Sequence, residues 1–237
     1  MKGALQLVYP PQCMACGDTV TEAGALCPAC WGDADFINGT CCDLCGAPLP
    51  GEGGDTLHCD DCMAVPRPWE QARAALTYRG TGRKLTLALK HGDRLDTASP
   101  LGDWVAQAAL PLIREGMVVA PVPLHLRRLL RRHYNQAELL ARRVARAHGL
   151  PCLTHLLIRR RHTPAQDNRS FQDRFANLDD ALTVRPRLLP ALAGRPVLLV
   201  DDVMASGATL TVAAEALRAG GAASISVVVL ARAVKDT

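Results

Sequence analysis

The sequence predicts a small cysteine-rich domain followed by an α/β domain built on a mainly parallel sheet. Two observations predict this division. Nine of the ten cysteines fall before residue 63, and the later part of the chain alternates apolar strand-like segments with amphipathic helical ones. The two prolines in "MAVPRPWEQ" mark the change from one composition to the other. We therefore expect one domain over residues 1–66 and a second over 67–237.

Eight of the cysteines form four C-x-x-C pairs. One such pair places two thiolates on a single tight turn, and two turns together make the tetrahedral sulfur site that zinc prefers. The gaps of ten residues (17–26) and thirteen residues (46–58) favour two zinc ribbons in series, with two structural Zn²⁺ ions, although spacing leaves crossed pairing open. A glycine follows the second and the sixth of these cysteines, as a left-handed turn would require. The predicted ligands are Cys13, Cys16, Cys27, Cys30, Cys42, Cys45, Cys59 and Cys62.

Other uses of the cysteines fit less well. A disulfide framework needs an oxidising compartment, and the N-terminal "MKGALQLVYPPQC" does not have the pattern of an export signal. A redox C-x-x-C normally occurs once, beside a βαβ unit. No apolar run approaches the roughly 18 residues that a membrane helix needs, so we expect no membrane insertion. These observations together predict a cytoplasmic protein.

The charge is distributed unevenly along the chain. Residues 1–66 contain nine acids and one base, a net charge of −8, whereas residues 114–174 contain thirteen arginines and four acids, a net charge of +9. This asymmetry indicates that the second region meets a polyanion, although solvated helix faces would give the same composition. The acidic ribbons are better suited to a structural or docking role than to binding phosphate groups.

The α/β domain is predicted from its individual segments. Pro100 to Leu112 is apolar at helical spacing, with Ser99 or Thr97 available as a cap. The segment "MVVAPVP" reads as a strand, and "NQAELLARRVARAHG" reads as a helix capped by Asn135 and closed by Gly149. An arginine-rich loop (159–177), a strand (196–200), a helix (208–219) and a last strand (224–230) complete the prediction.

The stretch "VLLVDDVMASGATL" carries the predicted binding site. Its aliphatic residues, Val197 to Val200, are apolar on both faces and predict a central strand. Asp201 and Asp202 then fall at the carboxyl end of that strand, where ligands bind in parallel sheets. The small residues from Ala205 to Thr209 open a helix and would direct backbone N–H groups at a phosphate. Carboxylates that can bind hydroxyl groups, beside backbone amides that can bind a phosphate, predict a site for a ribose 5-phosphate. A response-regulator receiver domain also has adjacent acids near a strand end, but it places them on its first strand, whereas this pair is near the C-terminus.

This stretch resembles the phosphoribosyl-pyrophosphate signature of type I phosphoribosyltransferases. The whole chain resembles the ComF family of competence-associated proteins, which join an N-terminal zinc ribbon to a phosphoribosyltransferase-like domain. The resemblance extends over the cysteine pairs and over "LALKHGD", "PVPLHLRRLLRRHYNQAELLAR" and "TPAQDNRSFQDRFANLDDA". It implies a sheet of the type I phosphoribosyltransferase kind.

The resemblance also implies roles for individual residues. Asp201 and Asp202 would hold the ribose hydroxyls of phosphoribosyl pyrophosphate, bound with Mg²⁺. The loop at "PVPLHLRR" would meet the pyrophosphate, and 159–177 would close over the site. Ala205 stands where the family usually has threonine, and His133-Tyr134 replaces its Gly-Phe. The loop residues implied to bind the 5-phosphate are Ala205, Ser206, Gly207, Ala208 and Thr209, and the candidates for pyrophosphate or DNA contacts are Lys90, Arg127, Arg132 and Arg174.

Two functions remain open from the sequence. The family resemblance favours a role in DNA uptake, in which the phosphate site and the arginines handle incoming single-stranded DNA, with other DNA-uptake proteins as partners. The alternative is an active phosphoribosyltransferase of nucleotide metabolism with an unidentified acceptor. Direct contacts to single-stranded DNA are expected from Arg127, Arg128, Arg131, Arg132 and the run Arg159 to Arg161.

Overall fold

A computed structural model describes residues 10–51, 56–91, 94–124, 134–159 and 182–234. Within these ranges the strands are β1 (Gln71–Thr77), β2 (Val118–Pro121), β3 (Leu157–Arg159), β4 (Leu182–Val184), β5 (Pro196–Met204) and β6 (Ser224–Arg232). The α-helices are α1 (Pro28–Gly32), α2 (Asp60–Ala64), α3 (Gly80–His91), α4 (Ala98–Ala109), α5 (Gln136–His148), α6 (Leu189–Leu192) and α7 (Ala208–Ala219). Single 3₁₀ turns occupy Leu95–Thr97, Leu110–Leu112 and Pro186–Leu188.

The main sheet has the strand order β1-β6-β5-β2, and each neighbouring pair is parallel. Strands β3 and β4 pair separately and run antiparallel. The aliphatic run from Val197 to Val200 is fully buried in β5, which lies between β6 and β2. This confirms the predicted α/β fold with a parallel sheet and a central apolar strand.

Helices cover both faces of the sheet and create two hydrophobic cores. On one face, α4 and α5 pack together and bury residues such as Leu101 and Leu140 against β5 and β6. On the other face, α7 buries Leu210 and Leu217 against the opposite side of the same strands. Among the described helices, none is long and apolar enough to cross a membrane.

The cysteine-rich region contributes to both cores and to the sheet edge. Met14 and Ala34 lie in the core beneath α4 and α5, whereas Cys42, Cys45 and Cys62 lie in the core beneath α7. Between them, residues 35–43 follow the edge strand β1 and pair with its backbone. The bonds are Ile37 N–H to Ala75 O at 3.0 Å, Thr77 N–H to Asp35 O at 2.9 Å and Ala72 N–H to Asp43 O at 2.6 Å. The residues before the predicted boundary near residue 66 therefore share both cores with the residues after it. They also cover the edge of the sheet at β1.

Several predicted element ends differ from the structure. The strand predicted over 196–200 continues to Met204 because β6 goes on pairing with it after β2 has ended. Helix α4 begins at Ala98, and the Thr97 hydroxyl donates to Arg94 O instead of capping the helix. Asn135 does occupy the N-cap position of α5, but its side-chain amide donates to Val122 O at 3.0 Å. Gly149 closes α5 in the left-handed conformation, as predicted.

Candidate functional site

The eight paired cysteines gather into two clusters. The first cluster is Cys13, Cys16, Cys27 and Cys30; the second cluster is Cys42, Cys45, Cys59 and Cys62. In each cluster the four Sγ atoms all lie within 4.8 Å of one another. The Sγ atoms of Cys16 and Cys27 are 3.6 Å apart, as are those of Cys45 and Cys59. The pairs are therefore combined in series, which the spacing alone had left open.

Both clusters fit a zinc ion. Zinc–sulfur bonds of about 2.3 Å in a tetrahedron require sulfur atoms roughly 3.8 Å apart, close to the separations found here. Gly17 and Gly46 turn the chain in the left-handed conformation after their cysteines. Burial alone would raise the pKa of Cys13, but N–H groups such as those of Cys27 and Ala15 donate to its sulfur and lower that pKa to about 6. Cys13 is therefore prepared to serve as a thiolate ligand.

Two cysteines lie outside the clusters. Burial raises the pKa of Cys41, and it raises the pKa of Cys152 to about 11. Neutral, partly buried thiols of this kind act as small apolar side chains.

The two predicted acids lie at the carboxyl edge of the sheet. The pairing of β2 with β5 ends at Val200, whereas Asp201 still pairs with Val229 of β6. Asp201 and Asp202 therefore extend beyond the end of β2 while the backbone of β5 remains fixed. Both residues thus lie beside the crevice at the carboxyl end of a parallel strand, where such folds bind ligands.

Lys90, at the end of α3, reaches the same crevice. Its Nζ lies 3.6 Å from Oδ1 of Asp202, and both side chains are mostly buried. The ammonium group also lies 5.9 Å from the centre of the Tyr78 ring. Lys90, a predicted cation of the site, and Asp202, a predicted acid, are thus in contact. The pair combines a carboxylate that can accept a hydrogen bond from a hydroxyl group with a positive charge.

Asp201 differs electrostatically from its neighbour. Burial, and then the negative charge of Asp202, raise the pKa of Asp201 to about 8. The Asp202 N–H, which donates to Asp201 Oδ1 at 2.8 Å, opposes this rise, and so do the charges of Lys90 and Arg159. Burial thus favours the protonated form of the Asp201 carboxyl, and in that form the group can donate a hydrogen bond as well as accept one.

The segment after β5 forms the loop that we call the phosphate loop, Ala205 to Thr209. Ala205 and Ser206 are exposed, and Gly207 adopts a φ of 84° immediately before α7. Only glycine adopts this backbone conformation without strain. The first turn of α7 leaves N–H groups without intrahelical acceptors, although that of Ala208 approaches Ser206 Oγ at 3.4 Å. These N–H groups suit an anion at the helix N-terminus.

Two arginines that the sequence did not single out hold this loop. Arg67 Nη1 donates to Ser206 O at 2.8 Å. Arg232 Nη1 donates to Met204 O at 3.1 Å and to Ala205 O at 2.9 Å. Arg67 lies in the proline-rich boundary and Arg232 ends an apolar strand, so neither position belongs to a recognisable motif. The one signal in the sequence was Arg232 itself, a charged residue at the end of the apolar segment that forms β6.

Of the other residues predicted to contact pyrophosphate or DNA, some lie in the described part of the chain and others do not. Arg159 lies beside the site, where its Nε donates to Pro123 O at 3.2 Å. Arg127, Arg132 and Arg174 lie outside the described residues. So do the further DNA-contact candidates Arg128, Arg131, Arg160 and Arg161.

Comparison with known proteins accounts for both parts of the chain. The family model of the double zinc ribbon domain matches residues 4–63, and that of the phosphoribosyl transferase domain matches residues 135–237. Competence protein F of Haemophilus influenzae is 41% identical over 230 residues, which cover 94% of this chain and 97% of that protein. The chain belongs to the ComF family.

Two further relatives in sequence agree with this assignment. The DNA utilization protein YhgH of Escherichia coli K12 is 30% identical over 212 residues, covering 87% of this chain and 90% of that protein. YhgH of Salmonella typhi is 29% identical over 93% of this chain and 89% of that protein. Among solved structures, an allosteric regulatory enzyme of purine biosynthesis aligns at 21% identity and a TM-score of 0.42, with 61% of this chain and 30% of that chain covered.

Proposed function

We propose that this ComF-family protein binds phosphoribosyl pyrophosphate, or another ribose 5-phosphate compound, together with Mg²⁺. One observation carries the proposal: two adjacent carboxylates at the carboxyl edge of β5 are followed at once by the phosphate loop at the start of α7. Asp201 and Asp202 would bind the ribose hydroxyls. The phosphate loop would hold the 5-phosphate through its N–H groups and the hydroxyls of Ser206 and Thr209.

Charge at the site is suited to such a ligand. Lys90 would pair with the pyrophosphate, because its ammonium group already lies among partly buried groups beside Asp202. Mg²⁺ would neutralise the remaining negative charge of the pyrophosphate and fix its oxygens. A protonated Asp201 would donate to one hydroxyl oxygen, so that the two acids need not repel each other.

Calorimetry tests this proposal. Full-length protein should bind phosphoribosyl pyrophosphate with Mg²⁺, and the double variant Asp201→Asn/Asp202→Asn should bind about 30-fold to 100-fold more weakly, since charge-assisted hydrogen bonds are lost. Asp103→Asn is the matched control, because Asp103 is paired with Arg143 on α4 and α5, away from the site. Equal affinity in the wild type and the double variant would refute the assignment.

We propose further that the protein acts in DNA uptake, in the cytoplasm, by handling incoming single-stranded DNA together with other uptake proteins. The names of its relatives, competence protein and DNA utilization protein, support this role. The net charge of +9 over residues 114–174 supports contact with a polyanion. Two cysteine clusters with ligand geometry support a compartment in which thiols stay reduced.

Salt-dependent binding of a labelled single-stranded oligonucleotide tests the DNA proposal. If about four to six phosphates are neutralised, log affinity should fall against log salt with a slope of roughly −3 to −4. Replacing Arg159, Arg160 and Arg161 by glutamate should flatten that slope for every sequence alike. Reversing the exposed ribbon acids Glu22 and Asp60 to lysine is the control and should not flatten it. A steeper slope in the ribbon variant, with no change in the arginine variant, would mean that the ribbons bind the DNA.

The alternative function is transfer of the ribose 5-phosphate to an acceptor. The contact between Lys90 and Asp202 favours it, because displacement of pyrophosphate from the anomeric carbon requires a positioned ribose and cations at the leaving group. Release of pyrophosphate should then be measurable with nucleobase or amine acceptors. Binding of phosphoribosyl pyrophosphate without release would assign the site to recognition alone.

A further inference from the structure

Two guanidinium groups hold three consecutive carbonyl groups at the start of the phosphate loop. Arg232 is 5% exposed although it carries a charge, and its Nη1 donates to Met204 O at 3.1 Å and to Ala205 O at 2.9 Å. Arg67 Nη1 donates to the next carbonyl oxygen, that of Ser206, at 2.8 Å. Each of these three carbonyls therefore accepts a hydrogen bond from a cationic side chain.

The direction of a carbonyl fixes the direction of the N–H group that follows it. In a planar trans peptide group the C=O and N–H bonds point in opposite directions, and the peptide groups of this loop are trans. The three carbonyls point towards the arginines, so the N–H groups of Ala205, Ser206 and Gly207 point away from them. No group in the described part of the chain accepts a hydrogen bond from these three N–H groups.

This arrangement suits an anion. Successive backbone N–H groups that share one side of a turn form a concavity that binds anions, and Gly207 ends the series in the left-handed conformation. The first turn of α7 adds further N–H groups to the same site. Ala205 and Ser206 are exposed and small, so these peptide groups would turn freely if their carbonyls were not held.

Both arginines are anchored on ordered parts of the fold. Arg232 pairs with Met204 in the register of β6 and β5, and its own carbonyl accepts a hydrogen bond from Tyr78 N–H at 2.8 Å. The guanidinium carbon of Arg67 lies 5.6 Å from the centre of the Trp69 ring, and that ring is 3% exposed. The two side chains can therefore fix the loop without help from the ligand.

Gly207 is the point of closest approach between the loop and Arg67. A Cβ atom on Gly207 would lie 2.9 Å from Arg67 Nη1 and 3.4 Å from the Trp69 ring. Glycine thus serves here for two reasons: it adopts the positive φ, and it lets the arginine lie against the loop.

We propose that Arg67 and Arg232 are positioning residues that set the peptide groups of the phosphate loop in their anion-binding orientation before a ligand arrives. The proposal rests on the proposed function, because this loop is the site proposed there for the 5-phosphate. The arginines act on the phosphate through the loop carbonyls and not by touching it. When one of them is removed, binding must also order the loop, and the affinity falls.

Amide NMR of the full-length protein tests the proposal. Ribose 5-phosphate added to the wild type should shift the signals of Ala205, Ser206 and Gly207. In Arg67→Gln the Gly207 signal should differ before any ligand is added and should shift less on titration, because Ser206 O is no longer held. Arg146→Gln, at the exposed far end of α5, is the matched control and should behave as the wild type.

The outcomes separate this proposal from the proposed function. Binding of ribose 5-phosphate with the same loop signals in the wild type and in Arg67→Gln would overturn the positioning role and leave the proposed function standing. Failure of the wild type to bind at all, with phosphoribosyl pyrophosphate and Mg²⁺ tried as well, would overturn both.

Affinity measurements separate positioning from a simple effect of charge. Arg67→Gln should weaken ribose 5-phosphate binding about tenfold, as loss of one charge-assisted hydrogen bond does. Arg67→Lys should weaken it nearly as much, because lysine keeps the charge but has no planar group to stack on Trp69. Full rescue by lysine would show that Arg67 contributes only charge, and the proposal would then be wrong. Arg232 is buried and its replacement can unfold the chain, so the Arg67 variants decide the test.

A double-variant cycle tests the contact between Arg67 and the loop. Gly207→Ala should weaken ribose 5-phosphate binding, and adding Arg67→Gln should weaken it by less than the product of the two single effects, because alanine already displaces the guanidinium group. The strain of the positive φ is the same with and without Arg67 and cancels in the cycle. Effects that multiply would show that Arg67 and the loop act independently, which contradicts the proposal.

Discussion

The two cysteine clusters share a motif but differ in what surrounds them. In the first cluster, Cys13, Cys27 and Cys30 form a small core of their own with Ala15, Val20 and Leu26. In the second, Cys42, Cys45 and Cys62 belong to the main core that also contains residues of β1, β5, β6 and α7. The cysteines of the first cluster are thus packed within their own ribbon, although Met14 and Ala34 beside them reach the core beneath α4 and α5. The cysteines of the second cluster, by contrast, themselves belong to a core of the sheet domain.

The C-x-x-C motif thus determines where a metal ion can bind, whereas the residues packed around each cluster determine how much that cluster stabilises the fold. The first ribbon meets the domain through Met14 and Ala34 in the core beneath α4 and α5. Its other contacts include the bond from Thr81 Oγ1 to Asp33 at 2.8 Å and the packing of Phe36 against Trp104. The second is joined by the main core, by the Asp43–Arg73 ion pair and by the Trp69 Nε1 bond to Leu44 O.

The largest effect is expected from removing one ligand of each cluster. Cys62→Ser should lower the free energy of unfolding of the sheet domain by about 4 kcal/mol, because structural zinc contributes folding energy directly and this cluster lies in the main core. Cys30→Ser, at an equally buried position, should lower it by less than about 1 kcal/mol. Denaturant unfolding followed by far-ultraviolet circular dichroism measures both. Equal losses would mean that the two ribbons support the sheet alike.

The second effect concerns Asp201 and pH. Because its pKa is raised to about 8 in the folded protein, the folded state binds more protons than the unfolded state between about pH 4 and 8. The free energy of unfolding should therefore fall as pH rises through this window. Asp201→Asn should remove about 2 kcal/mol of that fall, less than the full linkage value because Asp201 keeps some solvent contact. Unfolding of the wild type, this variant and Asp103→Asn at several pH values measures it; an unchanged slope would place the titration elsewhere.

The third effect is the rate of metal loss. Cys16 of the first cluster is exposed, whereas every thiol of the second cluster is buried or partly buried. A chromogenic chelator should therefore remove two zinc ions in two phases that differ about tenfold in rate, with the first cluster emptied first. Cys30→Ser should remove the fast phase alone. A single phase in the wild type would show that exposure does not distinguish the clusters.

The smallest effect compares one aspartate of each ribbon. Asp43→Asn should cost about 2 kcal/mol, because it breaks the ion pair with Arg73 and weakens the bond from Leu57 N–H. Asp33→Asn should cost about 1 kcal/mol, because one hydrogen bond from Thr81 is weakened. Thermal unfolding of both variants is the measurement. A larger loss for Asp33→Asn would reverse the ranking of the two ribbons.

The sequence predicted the chemistry of this molecule better than its packing. Four C-x-x-C pairs and "VLLVDDVMASGATL" are local patterns, and the structure brings together the residues within each of them. Strand β1, "QARAALT", was not predicted, because only its neighbours, β6 and the ribbon, make it extended. Helix α3 begins "GTG", which reads as a loop, yet the carboxylate of Asp33 faces its first turn. Arg67 and Arg232 lie far apart in the chain, so no spacing rule could have joined them to the phosphate loop.

A crystal structure of the full-length protein with phosphoribosyl pyrophosphate and Mg²⁺ tests the central claim most directly. Ribose density should lie within hydrogen-bond distance of Asp201 and Asp202, and the 5-phosphate should lie against the N–H groups that begin at Gly207. Arg67 and Arg232 should remain bonded to the loop carbonyls in the bound state. A ligand bound elsewhere, with this crevice left to solvent at saturating concentration, would contradict the account.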